Sequence, residues 1–150
     1  MIHSTFSYLP YGVVLAALVG LLSFTPSDTL PAGINGDFIG GHNQQCSVCV
    51  HPVQFSLSNS DSTASDILVI SFKGDSDKAD RIEITGVDGG TVSQQSRSEV
   101  AMRLAPGEYA TISLKAHFTD KEQHLTSYVN GAKSDAINVS FGPQTQDACK

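Results

Sequence analysis

The stretch Ala110-Thr-Ile-Ser-Leu-Lys-Ala-His-Phe-Thr119 alternates apolar and polar side chains without a break. The Ala, Ile, Leu, Ala and Phe side chains fall on one side of an extended backbone, and the Thr, Ser, Lys, His and Thr side chains fall on the other. A period of two is typical of a β-strand that is buried on one face and solvated on the other. The stretch therefore predicts a strand that covers a hydrophobic core.

The same period recurs along the chain, in shorter segments that end at turn-forming residues. Ile67–Phe72 differs because it is apolar on both faces, which predicts a central strand, or a strand with one face on the core and the other against the helix or a neighbouring subunit. The alternating segments are Val53–Leu57, Ile82–Ile84, Val100–Leu104 and Ile137–Phe141, and the turn signals are Lys73–Asp75, Val87–Thr91 and Ala105–Glu108. About seven strands without a helical pattern after residue 30 predict an all-β domain, an immunoglobulin-like or jelly-roll β-sandwich.

The N-terminal part of the chain has a different character. Tyr8–Phe24 carries no charge, and its centre, Val13–Leu22, is continuously apolar. A membrane-spanning helix needs about 20 such residues, whereas the apolar part of a signal peptide needs about 7–15. The run predicts a hydrophobic helix that contacts the membrane through residues 8–24. Three interpretations remain open: an uncleaved anchor or filament-core helix, a cleaved signal segment, or a segment buried in the domain.

These patterns divide the chain into three parts. Residues 1–26 are the hydrophobic anchor, filament-core helix or signal segment. Residues 27–45 are rich in glycine and are predicted to be a linker. Residues 46–150 are predicted to form the β-sandwich domain.

Charge excludes one class of partner. The chain has 9 Lys and Arg against 15 Asp and Glu, giving a formal net charge of −6, and its first Lys or Arg is Lys73. Nucleic-acid binding needs a basic surface to neutralise phosphates. The composition therefore predicts no nucleic-acid partner.

Four potential metal ligands fall within one short stretch: His42, Cys46, Cys49 and His51. Two thiolates and two imidazoles suit a tetrahedral zinc or copper site. Thiols oxidise outside the cytosol, however, so a disulfide is the alternative interpretation. Cys149 could pair with Cys46 or with Cys49, or Cys46 and Cys49 could pair with each other and leave Cys149 to bond another subunit.

Other motifs point to an envelope protein without catalytic function. Asn138-Val-Ser140 is an acceptor pattern for N-glycosylation, and the alternation around it places Asn138 on an outward face. The chain contains no G-x-S-x-G, no H-E-x-x-H and no glycine-rich phosphate loop. We therefore expect no enzyme activity and no cofactor.

A short apolar N-terminal segment followed by a small β-sandwich rich in Ser, Thr and Gly resembles archaeal pilin-like and archaellum-associated surface proteins. Four segments carry the resemblance: Val13–Leu22, the strand-turn phrase Ser71–Thr85, the turn Leu104–Leu114 and the closing strand Asn130–Phe141. The resemblance implies an extracellular or cell-surface protein that assembles with copies of itself.

The resulting hypothesis is an extracytoplasmic structural protein, a subunit of a pilus-like surface filament or of an envelope complex. Its partners would be copies of itself or the subunits of a membrane complex. Two alternatives belong to other classes. One is a secreted module that binds a metal or acts as a redox protein through the cysteine and histidine cluster. The other is an accessory subunit that a single helix holds in a membrane enzyme complex.

Overall fold

The computed structural model describes residues 28–46, 50–74, 82–117 and 122–141. These residues form β-strands and turns, and none of their segments is a helix long and apolar enough to cross a membrane. The strands are β1 (Ile34–Ile39), β2 (Asn43–Cys46), β3 (Val50–Asn59), β4 (Leu68–Gly74), β5 (Ile82–Asp88), β6 (Thr91–Gln95), β7 (Glu99–Arg103), β8 (Tyr109–His117), β9 (Glu122–Val129) and β10 (Ala132–Phe141).

The strands form two sheets that pack face to face. The four-stranded sheet has the order β1-β3-β8-β5, and the six-stranded sheet has the order β2-β10-β9-β4-β7-β6. Neighbouring strands are antiparallel except β2 and β10, which are parallel. This architecture is an immunoglobulin-like β-sandwich, as the sequence predicts. The predicted N-terminal hydrophobic helix lies outside the described residues.

The alternating residues of the longer strands build the core between the sheets. Ala110, Ile112, Leu114 and Ala116 of β8 are fully buried, which confirms the face predicted for this strand. Three aromatic rings join the two sheets, with centroids 5.2 Å apart for Phe38 and Phe55 and 5.4 Å apart for Phe55 and Phe72. Edge-to-face pairs of this kind stabilise a core beyond the area that they bury.

The strand with two apolar faces lies inside its sheet. β4 pairs with β7 on one side and with β9 on the other. Leu68, Ile70 and Phe72 are buried in the core, and Val69 is half-buried on the outer face. The central position predicted for this segment is therefore confirmed.

The linker predicted over residues 27–45 is wrong where the chain forms strands, because all of β1 and all but the last residue of β2 lie in that range. Ile34 and Phe38 alternate with exposed residues and are buried in the core. Gly36 allows a close contact: a Cβ atom at this position would lie 2.5 Å from the Phe55 ring. The glycines thus serve dense packing at Gly36 and a change of sheet at Gly40 and Gly41, not a linker.

Asn130 and Gly131 form the tight turn between β9 and β10. Both residues have positive φ angles, 51° and 83°, as a two-residue turn of type I′ requires. The Asn130 side chain also accepts a hydrogen bond from the Val69 N–H at 2.8 Å, and the Asn130 N–H donates to the Val69 C=O at 2.9 Å. The turn therefore fixes the β9–β10 pairing and attaches it to β4.

We expect Asn130→Ala to destabilise the protein by about 1–3 kcal/mol, because alanine disfavours positive φ and leaves the Val69 N–H without its acceptor. Asn130→Gly is the matched control, since glycine accepts the same backbone conformation and removes only the hydrogen bond. Urea unfolding should rank the proteins as wild type, then Asn130→Gly, then Asn130→Ala. Equal stability of wild type and Asn130→Ala would contradict this account.

Candidate functional site

The most elaborate polar site in the described part of the chain lies where the first strand changes sheets. The chain leaves the four-stranded sheet at Ile39 and joins the edge of the six-stranded sheet at Asn43. Gly40 and Gly41 have φ angles of 105° and 85°, which residues with a side chain rarely adopt. The segment between Ile39 and Asn43 is called the crossing, because the chain passes there from one sheet to the other. It lies against a β-bulge of β10 between Lys133 and Asp135.

Asp135 joins the two sheets at this bulge. One carboxylate oxygen accepts a hydrogen bond from the Phe38 N–H of β1 at 2.8 Å. The other oxygen accepts the Ala136 N–H of its own strand, also at 2.8 Å. Beside it, the Ser134 hydroxyl donates to the Gly36 C=O of β1. Side chains of β10 therefore satisfy backbone groups of β1 that β3 does not pair, and they close this edge of the four-stranded sheet.

The carboxylate of Asp135 is held from two further directions. Its side chain is 11% exposed, and its backbone exchanges hydrogen bonds with the buried Ser127 hydroxyl, at 3.0 Å for the N–H and 3.2 Å for the C=O. On the solvent side, His42 Nε2 lies 3.1 Å from Asp135 Oδ1, with the imidazole 74% exposed. The His42 C=O also accepts the Asn138 N–H at 2.7 Å. These bonds fix the crossing against β10.

Gln44 and His51 form the second part of the site. The Gln44 amide nitrogen donates to the C=O groups of Ile39 and Gly41, at 3.2 and 3.1 Å. Its amide oxygen lies 2.7 Å from His51 Nε2, which donates to it from β3. Burial lowers the pKa of His51, which favours the neutral imidazole.

The residues of the predicted metal cluster occupy different positions in this site. His42 pairs with Asp135 and His51 with Gln44. Cys46 lies at the end of β2 beside Phe141 of β10, while Cys49, Cys149 and the Cys46 side chain lie outside the described part. Among the described residues, no group of three or more His, Cys, Asp or Glu is placed to hold a metal ion. Both the disulfide and the metal site therefore stay predictions.

Asn138 lies in β10 between β2 and β9. Its neighbours Ile137 and Val139 are buried in the core, so the side chain of Asn138 is on the outer face and is half-buried. Its amide oxygen is enclosed and has no hydrogen-bond partner among the described residues. Glycosylation of Asn138 stays a prediction.

The opposite edge of the four-stranded sheet is closed in another way. The Arg97 C=O, in the turn between β6 and β7, accepts the Ile84 N–H of β5 at 2.7 Å. The next carbonyl, of Ser98, accepts the Phe72 N–H of β4 at 3.1 Å. One turn thus binds a strand of each sheet.

The outer face of this sheet has an open depression of about 320 Å³. Pro52 lies on its floor, at a level of β3 that β1 does not reach, so its missing N–H costs no hydrogen bond. The depression is lined by Ile39, Pro52, Val53, Gln54, Thr85, Ser113, Leu114 and Lys115. Lys115 is the one charged residue among those that line it.

Sequence reasoning missed the residues that carry this site. Ser134, Asp135 and Gln44 were not identified, because isolated polar residues in strands show no periodicity that marks a bond to another sheet. The pair Asn130-Gly131 was also missed, although Asn-Gly between two apolar stretches is a strong hairpin signal.

Comparison with known proteins adds distant structural likenesses. No family model and no curated protein matches the chain. A CARDB domain from Pyrococcus furiosus has a TM-score of 0.48 and 10% identity, over 73% of this chain and 94% of that one. A non-cellulosomal cohesin from Archaeoglobus fulgidus has a TM-score of 0.41 and 12% identity, over 78% of this chain and 96% of that one. The third cohesin ScaC from Acetivibrio cellulolyticus, solved with a dockerin, has a TM-score of 0.41 and 14% identity, over 72% of this chain and 98% of that one.

We expect Asp135→Ala to lower the free energy of unfolding by about 2–4 kcal/mol, because it leaves the Phe38 and Ala136 N–H groups without their acceptor. Asp37→Ala is the matched control: it removes a carboxylate from an exposed position of β1 and should change stability by about 0.5 kcal/mol or less. Urea unfolding of the two variants measures the difference. If both variants lose the same small amount, Asp135 does not hold the sheets together.

His51 should make stability depend on pH. Because burial holds its pKa in the folded protein below the ordinary value of 6.5, the unfolded chain takes up a proton there at a higher pH than the folded chain does. Stability should therefore fall as the pH drops through about 6.5, until the folded-state pKa is passed.

Urea midpoints at about pH 7.5 and about pH 5.5 measure this dependence. His51→Gln should remove its part of the loss, whereas His117→Gln, at the exposed end of β8, should not. A pH slope unchanged by His51→Gln would assign the dependence to other groups.

Proposed function

We propose that this protein is a non-enzymatic extracytoplasmic structural module, a subunit of a pilus-like surface filament or of an envelope complex. In this proposal the apolar segment of residues 8–24 makes the membrane contact or the buried contact between subunits. The sandwich is the outer domain, on the extracellular side. The archaeal pilin-like proteins that the sequence resembles would be its relatives.

The observation that carries the proposal is the arrangement of the first and last strands. β2 runs parallel to β10, with Asn43 beside Asn138 and Cys46 beside Phe141. β1, which leads into β2, lies at the level of Ser134 and Asp135 near the start of β10. The chain therefore enters the sandwich at Ile34, at one end, and leaves β10 at Phe141, at the other end.

This geometry suits a domain that transmits force. A pull between the two ends of the sandwich would slide the β1–β2 segment along β10 and load the bonds between them together, rather than open them one by one. The hydrogen bonds of Asp135 and Ser134 to β1 lie across the same boundary. A subunit that connects a membrane-side segment to an outer assembly needs this resistance.

The surfaces of the sandwich also favour a structural role. Outward positions of β3 and β8 are mostly small polar side chains, among them Gln54, Ser56, Thr111 and Ser113. Such polar faces suit contacts between whole domains. The depression near Pro52 is open and carries a single ionisable side chain, Lys115.

Electron microscopy and sedimentation of the full chain test the proposal. We expect regular oligomers or filaments from the wild type, and their loss when Leu18→Glu and Val19→Glu place charges in the apolar segment, because a buried charge in such a segment costs about 2.5–3.5 kcal/mol. Leu18→Ile with Val19→Leu is the matched control and should assemble.

Two results would overturn the proposal. One is a wild-type chain that stays monomeric at high concentration. The other is a monomer that binds stoichiometric copper or zinc and loses the metal in Cys49→Ser, since this result would favour the metal-binding alternative.

A further inference from the structure

The two outer faces of the sandwich carry opposite charge, and we propose that the outer face of the four-stranded sheet of one copy docks on the outer face of the six-stranded sheet of the next copy. The acidic pair Asp37 and Asp88 would meet the basic pair Lys73 and Lys133. This inference rests on the proposed function and specifies which contact joins the outer domains.

The outer face of the four-stranded sheet is acidic, with both acids of the pair on one line across the sheet. Asp37 of β1 lies beside Ser56 of β3, Ser56 lies beside Thr111 of β8, and Thr111 lies beside Asp88 of β5. The side chains of Asp37 and Asp88 are exposed, and the two residues between them are small and uncharged. Two carboxylates thus flank a flat polar strip.

This face carries one further pair of charges, and the two charges balance each other. Glu83 of β5 lies directly across from Lys115 of β8, and both side chains are exposed. The remaining titratable groups that point outward from β8 are Tyr109 and His117. The face therefore has a net negative charge at neutral pH.

The outer face of the six-stranded sheet is basic around one aromatic ring. The Lys73 ammonium of β4 lies 5.3 Å from the centre of the Tyr128 ring of β9, a cation–π contact. Lys133 of β10 lies directly across from Tyr128 on the other side. Both lysines are exposed.

The remaining charges of this face leave it net positive. Arg103 of β7 adds a third positive charge, and Glu99, four residues before it on the same strand, is the one acid on this face among the side chains that the structure describes. His124 of β9 points outward as well. The two faces are therefore of opposite sign.

The spacing of the two pairs matches. Asp37 and Asp88 are three strands apart on one line, which corresponds to about 14 Å at the usual strand separation. Lys73 and Lys133 are two strands and two residues apart, which corresponds to about 12 Å. The flexible stems of the lysines cover the difference, so both ion pairs form in one docked arrangement.

The contact joins unlike faces, and this determines the kind of assembly. Because each copy uses one face to contact the copy before it and the other to contact the copy after it, the interface is heterologous. Such an interface continues into an open chain or a ring, whereas a contact between like faces would stop at a dimer.

The size of the faces sets the strength of the contact. Four strands of about six residues cover roughly 400 Å², about half of what each partner of a stable complex buries. The docking of these faces is therefore weak by itself and depends on the high local concentration that the N-terminal segments would provide. Its charges are exposed, so salt should weaken it.

A zero-length carbodiimide cross-linker tests the contact in the full chain, because it joins a carboxylate to an amine only when they touch. Asp37 and Lys133 can also approach each other within one copy, because Ser134 contacts Gly36 and Asp135 contacts Phe38, so only links between differently labelled copies count. Mass spectrometry of mixed ¹⁴N- and ¹⁵N-labelled protein should find Asp37 or Asp88 linked to Lys73 or Lys133 of another copy. The yield should fall by about tenfold as salt rises from about 0.05 M to about 1 M.

Charge reversal tests the direction of the contact. Variant A carries Asp37→Lys and Asp88→Lys, so that both faces are basic, and variant B carries Lys73→Glu and Lys133→Glu, so that both are acidic. Each variant alone should lose the cross-links and the ordered assembly, and a mixture of A and B should recover the assembly with alternating copies. Asp28→Lys with Asp66→Lys is the control, since it makes the same charge change as variant A at exposed positions outside the strands.

The outcomes separate this inference from the proposed function. If filaments or oligomers form and variants A and B assemble like the wild type, the docking contact is wrong and the proposed function stands. If A and B lose assembly and their mixture does not recover it, the pairing of the two faces is wrong. If the wild type does not associate at all, both proposals fail.

Discussion

The carboxylate of Asp135 accepts a backbone hydrogen bond from the opposite sheet. The closure of the β1 edge of the four-stranded sheet depends on this bond. The outer edge of β1 presents N–H and C=O groups that β3 does not pair, and such groups need partners when they are shielded from water. Here Asp135 and Ser134 provide them from a bulge in β10. Because the carboxylate is nearly buried and Ser127 holds its backbone, the link between the sheets is rigid.

The β5 edge of the four-stranded sheet is also bonded to the other sheet, here through a backbone carbonyl. There the Arg97 carbonyl accepts the Ile84 N–H, so a turn of one sheet covers a strand of the other. Glu108 adds a third connection of this kind: its carboxylate accepts the Gly90 and Ala105 N–H groups, and these bonds lower its pKa. The turn after β5 and the turn before β8 are thereby held together. Both edges of the four-stranded sheet thus carry hydrogen bonds to other parts of the domain.

The sequence predicted those parts of the fold that depend on burial alone. The alternation in β8 and the doubly apolar segment of β4 follow from where water is excluded, and both were predicted correctly. β1 was interpreted as a linker, because Gly36 and the Gly40-Gly41 pair look like flexible chain, whereas they serve close packing against Phe55 and a change of sheet. Asp135 could not be predicted, since its role depends on which strand the fold brings beside it. A lone acid in a polar strand carries no local sign of that neighbour.

The two histidines of the predicted metal cluster show how the fold decides the neighbours of a side chain. His42 and His51 are nine positions apart along the chain, yet the crossing of the first strand sends them to different partners, a carboxylate on β10 and an amide on β2. Both histidines thus help to hold the segment that joins the sheets: His42 lies in it, and His51 bonds to Gln44, whose amide binds its carbonyl groups. The segment leads into β2, which lies parallel to β10. The chain therefore enters at one end of the sandwich and leaves β10 at the other end. The domain is therefore asymmetric in two directions: its two ends differ, and its two outer faces differ in charge. Such a domain suits an assembly in which every copy points the same way. The bonds of Asp135 to Phe38 and His42 keep the two ends different, because they hold the crossing against β10.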